Sequence, residues 1–189
     1  MTNPPTGAIV LVGPMGAGKT SIGRRVAREL GLSFTDTDAI VARAHGPIPE
    51  IFAAHGEAHF RALERATITA ALGDGGVVAL GGGAVLNADT RRDLESHRVV
   101  LLTVSPHIVR SRIHGDARPL LAAEEDPIAR WQTIFDQRRG LYEEVADVTF
   151  DTSTGPLAHV VADIVAWVRA GGPGEHDRSD LLNEGTETK

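Results

Sequence analysis

Apolar residues recur along this chain with two different periods, and the alternation between them predicts the fold. Continuous apolar, β-branched runs at 8–12, 76–80 and 99–104 read as strands buried on both faces, and residues 148–150 and 33–36 read as two more. Between them the spacing lengthens to that of a helix. Ile22, Val26 and Leu30 lie along one face of 19–30, and further helices are predicted over 38–45, 57–72, 88–97, 106–112, 127–145 and 157–169. Strands and helices in alternation specify an α/β domain with a parallel sheet and helices on both faces. No segment repeats another.

Two stretches escape both periods. Residues 114–126 join two helices through Gly115, Arg118-Pro119 and an acidic patch, the pattern of a mobile surface loop of the kind that often carries function. Residues 171–189 open Gly-Gly-Pro-Gly and continue almost wholly polar, so a disordered tail is expected there, following a single domain over 1–170. Nineteen Lys and Arg against twenty-five Asp and Glu leave a formal charge of −6, and the tail alone carries three of those negative charges. A basic face of the kind that binds nucleic acid is missing, so no nucleic-acid partner is expected. The longest apolar runs fall far short of the roughly 20 residues of a membrane span. The first seven residues lack the regions of a signal peptide, and the absence of cysteine removes disulfides and thiolate sites. A cytoplasmic protein with no membrane partner is the expectation.

The first strand ends in Gly13-Pro14-Met15-Gly16-Ala17-Gly18-Lys19-Thr20, which matches GxxxxGK[ST] with a strand before it and a helix after it. Glycines let the backbone curl until successive N–H groups face one centre, and the helix N-terminus adds partial positive charge. A polyphosphate fits there. Lys19 would neutralise its β and γ phosphates, and the Thr20 hydroxyl would be a ligand of the bridging Mg²⁺. The motif points to a nucleoside triphosphate and leaves the acceptor open.

Acceptor chemistry is sought at the ends of the other strands, where open α/β sheets build their crevices. Asp36-Thr37-Asp38 follows the second strand. One carboxylate would act on Mg²⁺ through water while the other receives an acceptor proton; equally, Thr37 and Asp38 precede an apolar helix and suit its N-cap. The third strand ends in Gly81-Gly82-Gly83, which removes side chains where a ligand must come close, or serves as a flexible connector. Arg61, Arg118 and Arg138 are separated candidates for gripping carboxylate or phosphate.

Taken with Phe52, Gly56-Glu57, Phe60-Arg61, Arg118-Pro119-Leu120-Leu121 and Leu141-Tyr142, these features run in order from about Ala8 to about Arg169, and together they resemble shikimate kinase. The resemblance implies a nucleoside monophosphate kinase-like three-layer sandwich, with a five-stranded parallel sheet in the order 2-3-1-4-5 and a mobile lid at about 113–126. It implies transfer of the γ-phosphoryl group of MgATP to the 3-hydroxyl of shikimate, within aromatic amino-acid biosynthesis, by a monomer. On this resemblance Met15, Gly16, Ala17, Gly18, Lys19 and Thr20 line the phosphates, with Thr20 on Mg²⁺ and Asp36 behind it. Asp38 holds the reacting hydroxyl as candidate base, and Arg61 and Arg138 clamp the shikimate carboxylate. Gly82 and Gly83 offer backbone groups, and Phe52 and Phe60 form apolar walls. Arg118 reaches the transferring phosphates from the lid, and Arg112 stacks on the base. Where many relatives carry an arginine after the last strand, this chain reads Thr152-Ser153-Thr154-Gly155-Pro156. Rival readings are a gluconate or nucleoside monophosphate kinase on the same P-loop, or a non-catalytic ATP-binding module.

Overall fold

The computed structural model describes residues 7–113 and 126–172. Five short strands, β1 (Ile9–Val12), β2 (Phe34–Asp36), β3 (Val77–Ala79), β4 (Arg98–Thr103) and β5 (Val148–Asp151), form one sheet in the order β2-β3-β1-β4-β5. All neighbours pair in parallel, with Ile9 in register with Val77 on one side and Arg98 on the other. Parallel pairing demands a crossover between successive strands, which is why helices intervene everywhere. They are α1 (Lys19–Leu30), α2 (Thr37–His45), α3 (Ile48–Asp74), α4 (Ala88–Leu94), α5 (Pro106–Ile113), α6 (Pro127–Val145) and α7 (Leu157–Arg169). The three-layer architecture and the strand order agree with the expectation.

Strand β1 lies at the centre, and its alternation divides the core. Ile9 and Leu11 face a cluster built with Ile22 and Val26 of α1, Val109 of α5, Trp131 of α6 and Ile164 of α7. Val10 and Val12 face a second cluster with Ile68 of α3, Leu94 of α4, and Tyr142 and Val145 of α6. Helix α6 thus contributes to both. A third cluster, Val41, Ile51 and Phe60, belongs to α2 and α3 alone.

Helix α3 departs most from the sequence expectation. It begins nine residues before the predicted 57–72 and is interrupted at Gly56, whose φ of 81° and ψ of 171° are not helical. Pro49 stands in its first turn, where a missing N–H costs no hydrogen bond. The flanking prolines therefore start this helix rather than prevent it. The tail from 173 onward and most of the predicted lid, 114–125, lie outside the described residues. No helix among the described residues is long and apolar enough to cross a membrane.

Candidate active site

The phosphate loop, Asp36, Asp38, Arg61 and Arg138 gather about the carboxyl ends of β1, β2 and β3. Strand β1 delivers the chain into Gly13, where φ is 136° and a side chain would press on the Leu102 carbonyl, its first carbon 3.2 Å from that carbonyl carbon. The loop ends at Gly18, a left-handed cap with no side-chain hydrogen bond, so no side chain caps the first-turn N–H groups of α1. Such a terminus favours an anion. Lys19 folds back across the loop, its Nζ donating to the carbonyls of Gly13 at 2.7 Å and Pro14 at 2.9 Å.

The two aspartates after β2 have separate duties. Asp36 Oδ1 accepts from the Ala39 N–H at 3.1 Å, capping α2, while Oδ2 accepts from the Thr20 hydroxyl at 2.6 Å. The capping role suspected for Thr37 and Asp38 therefore belongs to Asp36, and Asp38 sits in the first helical turn. Because Thr20 gives its proton to Asp36, its lone pairs remain for a cation. A hydroxyl oxygen backed by a carboxylate is the hard donor set that suits Mg²⁺.

On the acceptor side, two carboxylates, Asp38 and Glu64, and two guanidinium groups, Arg61 and Arg138, converge on the glycine run. A methyl carbon on Gly81 would lie 2.9 Å from Glu64 Oε1 and 3.1 Å from Asp38 Cγ, so only glycine lets both acids close over the end of β3. At Gly83 it would lie 2.8 Å from Arg61 Cζ. Arg61 donates to Glu64 Oε2 at 2.7 Å and to Glu57 Oε1 from Nε and Nη2 at 3.2 and 3.0 Å. Three of its five N–H groups are thus used within the enzyme, which leaves two for a ligand. Arg138 Nη1 and the Tyr142 hydroxyl both donate to the Gly82 carbonyl, at 3.2 and 2.5 Å. A methyl carbon on Gly82 would stand 3.6 Å from the Gly13 carbonyl oxygen and 3.7 Å from the Met15 nitrogen, so donor loop and acceptor loop meet there. Phe52 and Phe60 pack at 4.9 Å between centroids across the Gly56 break.

Glu64 is buried, and desolvation pushes its carboxyl above the usual range, opposed by Arg61 and assisted by the Asp38 charge. Burial also pushes the Tyr142 phenol up, to about 12. Neither residue had a role in the sequence reading, although the three-residue offset of Arg61 and Glu64 on a helix marks them as neighbours. Trp131 and Thr152 were missed as well. Trp131 Nε1 donates to the Met15 carbonyl at 3.0 Å. Thr152 Oγ1 bridges the carbonyls of Ala17 at 3.1 Å and Thr103 at 3.0 Å. The loop without an arginine therefore supports the phosphate loop from below. Arg118 and the Arg112 side chain lie outside the described residues. A cavity of about 320 Å³ opens elsewhere, between α6 and the β4–β5 edge, lined by Thr103, Phe135, Arg139, Tyr142 and Asp151 among others. It contains no phosphate-loop residue and neither Asp38 nor Arg61, so it is not the place of phosphoryl transfer.

Several known proteins are similar to this chain in sequence and fold. The family model described as shikimate kinase matches residues 15–169. A shikimate kinase of Salinispora arenicola is 47% identical over 164 residues, covering 85% of this chain and 97% of that protein. The solved shikimate kinase of Acinetobacter baumannii in complex with shikimate is 36% identical, with a TM-score of 0.82 over 87% of this chain and 94% of that one. A gluconokinase from Sinorhizobium meliloti shares the fold at a TM-score of 0.57 and 21% identity, covering 96% of this chain and 98% of its own.

Proposed function

The chain belongs to the shikimate kinase family, transferring the γ-phosphoryl group of ATP to the 3-hydroxyl of shikimate to give shikimate 3-phosphate and ADP, and we propose that the residues gathered at the carboxyl edge of the sheet perform that transfer. Phosphoryl transfer asks little covalent help of a protein; it asks for in-line positioning and positive charge around the migrating group. Met15 to Thr20 cradle the ATP phosphates with backbone N–H groups, and the Lys19 ammonium leaves the Gly13 and Pro14 carbonyls for the β and γ oxygens. Thr20 would hold Mg²⁺, with its own proton already given to Asp36. When bound, that ion would supply positive charge against the phosphates.

On the other side, Arg61 and Arg138 receive the shikimate carboxylate. The fork left on Arg61 after Glu57 and Glu64 are satisfied suits a bidentate grip. Each charge-assisted hydrogen bond contributes about 1.5–3 kcal/mol, so removing one arm weakens shikimate binding by roughly one to two decades. Asp38 orients the 3-hydroxyl and accepts its proton as the bond to phosphorus forms. Gly82 and Gly83 approach the substrate with backbone alone, and Phe52 and Phe60 wall the site. On the sequence resemblance, Arg118 adds a cation at the transferring phosphates and Arg112 stacks on the adenine. A single chain supplies both donor and acceptor groups, so a monomer suffices, and the cytoplasm, where ATP is held, is its place.

The observation that carries this reading is the meeting at Gly82, whose neighbours are the phosphate loop on one side and Arg138 on the other. The test is ADP release from MgATP by the purified protein, alone and with shikimate, gluconate or a nucleoside monophosphate. Stimulation by shikimate only is the expected result. Equal stimulation by gluconate would overturn the acceptor assignment while leaving the phosphate site intact.

A further inference from the structure

Tyr142 is almost fully buried, 2% exposed, and its ring stacks on Phe135 at 6.4 Å between centroids. Its hydroxyl is nevertheless spent on a loop sixty residues away, donating to the Gly82 carbonyl at 2.5 Å. Arg138, one turn earlier on the same helix, donates to that same oxygen. A carbonyl approached by two donors from one side cannot rotate. The Gly82–Gly83 bond is trans, as are all those described, and in a trans peptide the N–H points opposite to the C=O. Holding the carbonyl toward α6 therefore fixes the Gly83 N–H in the opposite direction. That N–H has no hydrogen-bond partner among the described residues, and Gly83 lies against the Arg61 guanidinium.

We propose that Tyr142 is a positioning residue for the acceptor: from behind the glycine run it locks the Gly82–Gly83 peptide so that the Gly83 N–H stands beside Arg61 as a fixed donor to shikimate. Two neighbouring glycines make this lock necessary, because their backbone would otherwise sample many orientations. A tyrosine suits the task. Its ring is immobilised by packing in the second core cluster, and its hydroxyl stays protonated, hence a donor, because burial holds its pKa near 12. The inference rests on the acceptor assignment made above.

The test is Tyr142→Phe, which keeps the ring and removes only the donor. Calorimetric titration with shikimate in the absence of nucleotide should give a dissociation constant raised about three- to tenfold, the range of one neutral hydrogen bond. KM for shikimate should rise alongside it, with KM for MgATP within twofold. A lowered melting temperature with unchanged shikimate affinity would overturn the proposal, since that is the signature of a merely structural bond. Equal loosening of both substrates would overturn it too. Because this is the only tyrosine of the chain, 3-fluorotyrosine incorporation labels Tyr142 alone, and keeps the question answerable should the Phe variant fail to fold. Its fluorine resonance should move on saturation with shikimate, and a resonance indifferent to shikimate would refute the coupling. Arg61→Lys separates the two levels of argument: unchanged shikimate affinity in that variant would count against the acceptor site itself, whatever Tyr142 does.

Discussion

Asp36 and Asp38 are the same residue type two positions apart, and the fold gives them different chemistry. Asp36 spends one oxygen on the Ala39 N–H and the other on the Thr20 hydroxyl, whereas Asp38 closes over Gly81 beside Glu64. Asp38→Asn keeps the shape and removes the proton acceptor. Turnover should fall by about 10² or more, while ATP affinity measured by titration stays unchanged; undiminished turnover would remove Asp38 from the mechanism. Glu64 yields a pH prediction. Its folded pKa is raised above the ordinary 4.5, so below that value it contributes stability, and this contribution is lost as pH rises through the folded pKa. Glu64→Gln abolishes the titration. Urea unfolding at pH 4 and pH 7 should find the variant gaining on the unsubstituted protein at the higher pH, and a difference independent of pH would contradict the shift. At this scale the sequence made the phosphate loop and the paired aspartates legible because their spacing is local. Glu64, Tyr142, Trp131 and Thr152 were silent because their roles depend on partners that only the fold brings close.

Helix α6 shows what an element adds to its residues. Trp131 reaches the Met15 carbonyl of the phosphate loop, Phe135 stacks on Trp131 at 5.4 Å and on Tyr142, and Arg138 and Tyr142 reach the glycine run. One helix thereby holds the two substrate loops at a fixed separation. Trp131→Phe should raise KM for MgATP about two- to tenfold, by freeing the Met15 peptide, and leave shikimate affinity without nucleotide unchanged. Steady-state kinetics and calorimetry on one preparation check both halves. The predicted bounds of α6 and α7 match those observed, because an Asp126 cap with Pro127 and a polar-to-apolar transition mark α6 plainly. The first turns of α3 were not read, since Gly and Pro punctuate both turns and helix starts. The strand order was beyond periodicity, which reports burial but not neighbours; it came with the family resemblance.

Across the whole molecule the hydrophobic interior is unevenly shared. The two clusters on either face of the sheet are tied together by β1, whose four residues are all buried, and by α6. The acceptor side is different. Val41, Ile51 and Phe60, with Ile48, Phe52 and Leu63 packed against them, form a small cluster of their own, and α3 is broken at Gly56 within it. Few buried contacts and an internal break lower the free energy of local opening. Arg61, the proposed grip on the shikimate carboxylate, and Glu57, which holds its guanidinium, stand on the turns just beyond that break. The acceptor unit should therefore be the part of the molecule that shikimate orders, while the phosphate loop is already held by Trp131 and Thr152. Native-state hydrogen exchange tests this. Amides of α2 and of α3 from Ile51 to Phe60 should exchange well before those of β1 and β4 in the free enzyme, and shikimate without nucleotide should slow the first group selectively. Uniform exchange across both, or protection by shikimate spread evenly over the sheet, would mean that the small cluster is no weaker than the rest and that the enzyme binds its acceptor as a rigid body.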